Sequence, residues 1–356
     1  MQGRIGIGIV TYNRKDLVRE TIECVHRYTT RDDVDFVVAD DGSSDGTMAM
    51  LRGLGVPAVT GVNMGIAWNK NRALYLLAQI QRCEVVILLE DDTQPNVAGW
   101  EEDWIAAARR WGHVNLAGDW VKPWFFRGAG TPEDPCMGRQ VTAQCASYSR
   151  EALDYGGYYD PRYKGYGHEH VEHSRRLVRV GYGGVEHSDG AEGPLLFAMI
   201  KGSVTVHSPP SHHNKEQAER NLVLTQRAMG EQFYRVPWQA DDEMHQFRAE
   251  MTSALRNQPN GFNLRGASQA ELAPPVIQSP PEASPVAVAA AAPIPVPSVS
   301  PAAEIPTPVT APRPPAASAL DYLRGNGVPP ILAQTTAPPP EPPKERGFFS
   351  RILGGG

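Results

Sequence analysis

Cysteine is scarce in this chain, long apolar runs are missing, and there is no excess of basic charge. The four cysteines, Cys24, Cys83, Cys136 and Cys145, never stand in a CxxC spacing. In a chain of 356 residues this argues for reduced thiols and a cytoplasmic location. No apolar segment approaches the roughly 20 residues that span a bilayer, so no transmembrane helix is expected. A core strand begins within a few residues of Met1, which is not the start of a signal peptide. The formal net charge of −6 speaks against a general nucleic-acid binder, whose phosphate contacts need a basic face. Three histidines cluster between His168 and His173, yet the HExxH zinc pattern is absent, because Glu172 stands where its second histidine belongs. His170 and His173 lie one helical turn apart, but solvated histidines are the simpler reading.

Proline is unevenly spread. Most of the 32 prolines fall after Ala273, in a stretch of Ala, Pro, Val and Ser that cannot bury enough apolar surface to offset its ordering entropy. The sequence therefore divides into a folded domain over 1–238, an accessory helix within 239–267 (Asp241 to Leu255), a disordered Pro/Ala-rich linker over 268–343, and a terminal segment over 344–356. Two islands interrupt the tail: Leu320-Asp321-Tyr322-Leu323, and Phe348-Phe349-Ser350-Arg351-Ile352-Leu353. Aromatic and leucyl clusters within such a linker are candidate docking motifs for a protein partner. For the terminal island a weak basic-aromatic membrane contact is the other reading.

Against that background stands Glu90-Asp91-Asp92. It ends the apolar run Val85-Val86-Ile87-Leu88-Leu89, which reads as a buried parallel strand. Ligands of open α/β sheets bind at the carboxyl ends of such strands. Three adjacent carboxylates repel one another unless a cation joins them, and oxygen ligands suit Mg²⁺ or Mn²⁺. Upstream, two strand–loop–helix units come in order. Ile5 to Val10 runs into Thr11-Tyr12-Asn13-Arg14 and a helix over Lys15 to Tyr28, for which Asn13 or Asp16 offers a cap. Val34 to Ala39 runs into Asp40-Asp41-Gly42-Ser43-Ser44-Asp45-Gly46-Thr47 and a second helix. A short strand near Ala58 to Val62 then leads through Asn63-Met64-Gly65 to a helix reaching about Gln81. Strands alternating with helices predict a parallel sheet whose polar loops share one edge.

These four loops resemble the family-2-type, inverting glycosyltransferases of GT-A fold. The resemblance implies a Rossmann-like α/β domain with a mostly parallel mixed sheet flanked by helices. Its nucleotide-sugar half would span 1–115 and its acceptor half 116–238. By the same resemblance, Thr11 and Tyr12 line the nucleoside pocket and Asp40 or Asp41 hydrogen-bonds base or ribose. Asn13, Gly65, Asn71, Arg72 and Asp91 belong to the donor side. Glu90-Asp91-Asp92 is the metal-binding DxD signature, with Asp92 the firmer ligand because Glu90 departs from the pattern. A late histidine completes the metal shell in several GT-A enzymes. His207 closes the alternating segment Val204-Thr205-Val206, and His212 or His213 could substitute for it.

In the second half, Gly165-Tyr166-Gly167-His168-Glu169-His170 is similar to the family's Gly-Trp-Gly-x-Glu-Asp block, which opens the helix bearing the catalytic base. Here the pattern breaks, since His170 replaces the aspartate. Either Glu169 or His170 can take a proton from an acceptor hydroxyl. Glu169 is preferred, although the alignment itself marks His170. Trp120, Trp124, Phe125 and Phe126 offer an apolar platform for sugar or acceptor.

The expected protein is a transferase of single sugars that uses Mn²⁺ or Mg²⁺ and a nucleotide-diphosphate sugar, UDP-sugars first. Without membrane helices or a QxxRW motif it departs from processive synthases. The acceptor is open among glycan, protein, small molecule and modified nucleobase. A nucleotidyltransferase of similar fold lacks support, since no Gly-rich basic loop follows the first strand. A catalytically silent binding protein is the alternative from another class.

Overall fold

The computed structural model describes residues 3–165, 167–186, 195–207, 214–228, 230–258 and 261–266, with backbone only at Trp120 and Trp124. The tail from 267 onward, with its expected linker and docking islands, and His212 and His213 lie outside the described residues.

The first half follows the expected alternation. Strand β1 (Ile5–Thr11) leads to α1 (Lys15–Tyr28), β2 (Val34–Asp40) to α2 (Thr47–Gly53), and β3 (Ala58–Thr60) to α3 (Ile66–Leu74). One π-helical turn, Tyr75–Ile80, extends α3 before β4 (Val85–Glu90). A short β5 (Thr93–Pro95), α4 (Glu101–Trp111) and β6 (His113–Leu116) follow. After a 3₁₀ turn come β7 (Phe125–Arg127), β8 (Cys136–Gly138), β9 (Cys145–Ser149) and α5 (Arg150–Gly156). The last elements are α6 (Glu169–Arg179), β10 (Gly184–Glu186), β11 (Leu195–Ile200), β12 (Val204–Val206), α7 (Lys215–Ala228) and α8 (Asp241–Arg256).

The main sheet runs β3-β2-β1-β4-β9-β6-β11-β8-β7, with β10 added beside β11. Strands β3, β2, β1 and β4 are all parallel. Antiparallel pairing begins at β9. Strands β1 and β2 are buried along their whole length, as continuous apolar runs require when helices cover both faces. Helix α1 turns Val18, Thr21, Ile22 and Val25 inward. Leu17 lies only partly buried. Neither expected cap is used: Arg14 occupies the N-cap position, and no side chain caps the helix. Asn13 instead accepts from the Ser44 amide at 2.8 Å and donates its own amide to Ser43 Oγ at 2.8 Å. It thereby ties the first polar loop to the second.

Helix α8 packs tightly on the domain. Glu250, on its inner face, accepts from Arg72 Nε at 2.9 Å and from Trp68 Nε1 at 3.1 Å, both on α3. Phe247 sets its ring edge-on to Trp68 and Tyr75. The chain beyond α8 returns to the sheet, where the Phe36 amide donates to Phe262 O at 2.6 Å.

Candidate active site

Register places three loop origins side by side. Thr11 lies opposite Asp40, and Val10 opposite Glu90, so β1, β2 and β4 end at one level. Thr11 Oγ1 donates to Asp91 Oδ2 at 2.8 Å, and Thr21 Oγ1 to the Asp91 carbonyl at 2.6 Å. One Arg14 nitrogen bridges Asp91 Oδ1 at 3.0 Å and Asp92 Oδ2 at 3.1 Å. Burial pushes the Asp91 carboxyl up to about 6, against the pull of Arg14 and Thr11. Burial, with the charge of Glu90, also raises Asp92. Desolvated carboxylates held toward their neutral form are under-compensated, and a divalent cation would restore the balance.

His207 reaches the same place from far along the chain. Strand β12 pairs antiparallel with β5, Val206 opposite Thr93, and the His207 amide donates to the Asp92 carbonyl at 2.9 Å. Its imidazole is exposed. Among the described residues no group of three or more His, Cys, Asp or Glu side chains is already closed around a metal position. The donor set of Asp92, Glu90 and His207 nevertheless suits Mn²⁺ or Mg²⁺ in chemistry.

The two aspartates after β2 differ. Asp40 accepts through Oδ2 from the Gly42 and Ser43 amides at 3.2 and 3.1 Å and from Thr60 Oγ1 at 2.7 Å. Its Oδ1 is buried with no partner among the described residues. Asp41 is fully engaged, accepting from the Met64 and Gly65 amides at 3.0 and 2.9 Å and from Arg72 Nη1 at 2.7 Å. Tyr12 is 46% exposed at the mouth of this edge. Asn71 exchanges two bonds with the Tyr159 backbone, and Arg72 is wholly buried between Asp41 and Glu250. Both therefore brace this edge of the sheet from behind. Gly65 has φ +94, and a Cβ there would stand 3.3 Å from the Gly165 amide, so the loop before α3 and the loop before α6 meet at this glycine.

In the second half of the domain α6 begins at Glu169, after His168 in a left-handed conformation (φ 70). The Glu169 carboxylate is almost fully buried. Burial opposes its ionisation, but His170 and Lys70 outweigh that and hold its carboxyl well below the usual range. His170 Nδ1 lies 3.3 Å from Glu169 Oε1, and its side chain is 21% exposed against 5% for Glu169. The other candidate acids here are occupied: Asp160 binds Arg162 and Arg235, and Glu172 binds Arg176. Phe126 is exposed beneath the Arg139 guanidinium, whereas Phe125 leans on a small cluster with Val121 and Met199. The Trp120 and Trp124 side chains lie outside the described set.

Two site residues escaped the reading of the sequence. Arg14, in the loop after β1, is the cation on Asp91 and Asp92. Lys70, wholly buried on α3, donates to Glu90 Oε1 at 2.9 Å and to Glu169 Oε1 at 3.4 Å. Burial disfavours its charge, but the two carboxylates prevail and keep it protonated. The signal was available: with Ala67, Trp68, Ala73 and Leu74 around it, α3 has little room for a solvated face.

Residues 7–122 match the family model described as "Glycosyl transferase family 2". Several solved structures are similar at low identity. A mannosyltransferase, PcManGT from Pyrobaculum calidifontis in complex with GDP-Man and Mn²⁺, is 16% identical over 75% of this chain and 78% of its own, with TM-score 0.47. TarS of S. aureus is 15% identical over 70% of this chain and 43% of its own, with TM-score 0.44. Glucosyl-3-phosphoglycerate synthase from Mycobacterium tuberculosis, in complex with Mn²⁺, UDP-Glc and phosphoglyceric acid, is 16% identical over 64% and 79%, with TM-score 0.42. No curated protein matches the chain. Among the described residues no helix is long and apolar enough to cross a membrane.

Proposed function

We propose that this chain, which over residues 7–122 belongs to glycosyl transferase family 2, moves a single sugar from a nucleotide-diphosphate donor to an acceptor hydroxyl with inversion. The observation that carries this reading is the convergence at Lys70. The acidic end of β4 and the first turn of α6 stand on two sides of one ammonium. Donor and acceptor machinery therefore share one edge of the sheet.

Asp92 and Glu90, with His207 beside them, would hold Mn²⁺ or Mg²⁺, which neutralises a diphosphate leaving group. Thr11, Tyr12, Asn13 and Asp40 face the nucleoside in this reading, and the unpartnered Asp40 Oδ1 suits a base or ribose donor. Asp41, Gly65, Asn71 and Arg72 set the shape of that wall. A UDP-sugar is the first donor to test.

For the base the geometry favours His170. Glu169 is buried and held ionised by the Lys70 ammonium and by the hydrogen bond from His170, which makes it a poor proton acceptor. It can instead fix the imidazole through Nδ1, leaving Nε2 for the substrate. The acceptor hydroxyl gives its proton to His170 Nε2 as its oxygen bonds to the anomeric carbon. The bond to the diphosphate breaks on the opposite face, and the diphosphate leaves with the electron pair. The acceptor class stays with the options named above, and the Phe348-Phe349 island offers a protein partner a docking point by composition. Single-turnover transfer tests the base. His170→Asn should lose on the order of a hundredfold or more, the scale of general-base catalysis, with donor binding retained. Near-wild-type transfer by that variant would remove His170 from the role.

A further inference from the structure

Lys70 has no part in the reaction just described, yet it is a wholly buried charge at the site. Its side chain has no exposure, against 5% for Glu169 and 28% for Glu90. Its ammonium also stands 5.4 Å from the centre of the Tyr159 ring. A buried ammonium persists only where carboxylates compensate it. Here the compensation is divided between one candidate metal ligand and the carboxylate that orients the candidate base.

That division has a consequence for the cation. A divalent ion on Glu90 would lie within a few ångströms of a fixed positive charge in a poorly solvated place. Like charges at such range repel strongly where the effective dielectric is low. The ion and the ammonium therefore compete for one carboxylate. Glu169, on the far side, is the partner to which the ammonium can turn, and its Oε2 is buried with no partner among the described residues.

Resting on the reading of Glu90 and Asp92 as the cation site, we propose that Lys70 is a positioning residue: the internal counter-ion that the divalent cation displaces from Glu90, shifting onto Glu169 as the donor side loads. Donor loading then tightens the first turn of α6, which carries His170. By linkage, an ordered acceptor helix favours cation binding in return. The site thus favours an order, with cation and donor first and the acceptor helix set after them.

The test is direct Mn²⁺ binding to the full chain, read from the electron paramagnetic resonance of free Mn²⁺. Lys70→Met should tighten Mn²⁺ on the order of tenfold, because a repulsive charge is gone, while single-turnover transfer at saturating Mn²⁺ falls. Lys70→Arg should keep the wild-type affinity. Glu169→Gln should weaken Mn²⁺ several-fold without touching it, since the ammonium then has only Glu90. A merely structural lysine predicts weaker binding for Lys70→Met, and unchanged or weaker binding there overturns the proposal. Should Lys70→Met fold poorly without metal, the rise in melting temperature on adding Mn²⁺ decides instead. It should exceed the wild-type rise, and an equal or smaller rise overturns the proposal. Wild-type protein that binds no Mn²⁺ at millimolar concentration overturns this inference and the cation-site reading together. A wild type that binds, with no tightening in Lys70→Met, overturns this inference alone.

Discussion

Replacing Glu250 by glutamine tests whether α8 secures α3 at the edge of the sheet. Glu250 accepts four bonds: from Arg72 Nε at 2.9 Å, Arg72 Nη2 at 3.1 Å, Trp68 Nε1 at 3.1 Å and Gln246 Nε2 at 3.0 Å. Glutamine keeps the shape but removes the charge, and its amide turns a donor toward Arg72 in either orientation, together with Gln246 or Trp68. Breaking a buried ion pair costs about 3–5 kcal/mol. Arg72 keeps Asp41 at 2.7 Å and the Val62 carbonyl at 2.9 Å, so the lower end, about 3 kcal/mol, applies. For a domain of this size about 1 kcal/mol moves Tm by about 2–4 °C, which gives a loss of about 6–12 °C by calorimetry. Arg72→Met should cost more, because it strands two buried carboxylates. The double variant should fall well short of the sum of the two, as residues in contact do. A Tm within about 2 °C of wild type for Glu250→Gln would refute the claim that this carboxylate secures α3.

Asp91→Asn should raise the stability of the metal-free protein at pH 7.5. The folded carboxyl titrates near 6, above its unfolded value. Between about pH 4 and 6 the native state therefore binds more protons, and this group's contribution to stability falls as pH rises, by up to about 3 kcal/mol. Urea titrations across that window should show the slope flattened in the variant; an unchanged slope would assign the pH dependence elsewhere. His207→Ala should weaken Mn²⁺ on the order of tenfold with no change in Tm, measured by titration and calorimetry, because its imidazole is exposed. Gly65→Ala forces a side chain into φ +94 at 3.3 Å from the Gly165 amide. It should cost about 1–3 kcal/mol and raise the donor KM, with both checked on one preparation.

The strands were legible because their chemistry is one-sided. Ile5 to Val10 and Val85 to Leu89 are apolar runs cut off by polar loops, and each lies where such runs must be buried. The start of α6 at Glu169 was legible through the resemblance of Gly165–His170 to a block that opens a helix. The carboxylates after β2 and β4 stood out because charge is costly at strand ends. What could not be read was the division of labour inside each motif. Asp40 and Asp41 are neighbours in sequence, but only the fold shows that Arg72 and two amides occupy Asp41. Lys70 looked like one polar residue among asparagines, because the pairing of Glu90 with Glu169 is a tertiary fact. The proximity of His207 to Asp92 depends on a three-residue strand pairing with β5, a contact that short-range periodicity cannot signal. Preference between Glu169 and His170 likewise turned on burial, which the sequence does not state.

The central claim is that Asp92 anchors a cation needed to turn over a nucleotide-diphosphate sugar. It is tested most directly by measuring nucleoside diphosphate release from UDP-, GDP- and dTDP-sugars with Mn²⁺ and with EDTA, for the wild type and Asp92→Asn. Release is expected from at least one donor with Mn²⁺, with its loss in EDTA and its absence in Asp92→Asn at unchanged Tm. Release that persists in EDTA, or an Asp92→Asn variant that turns over at the wild-type rate, would contradict it.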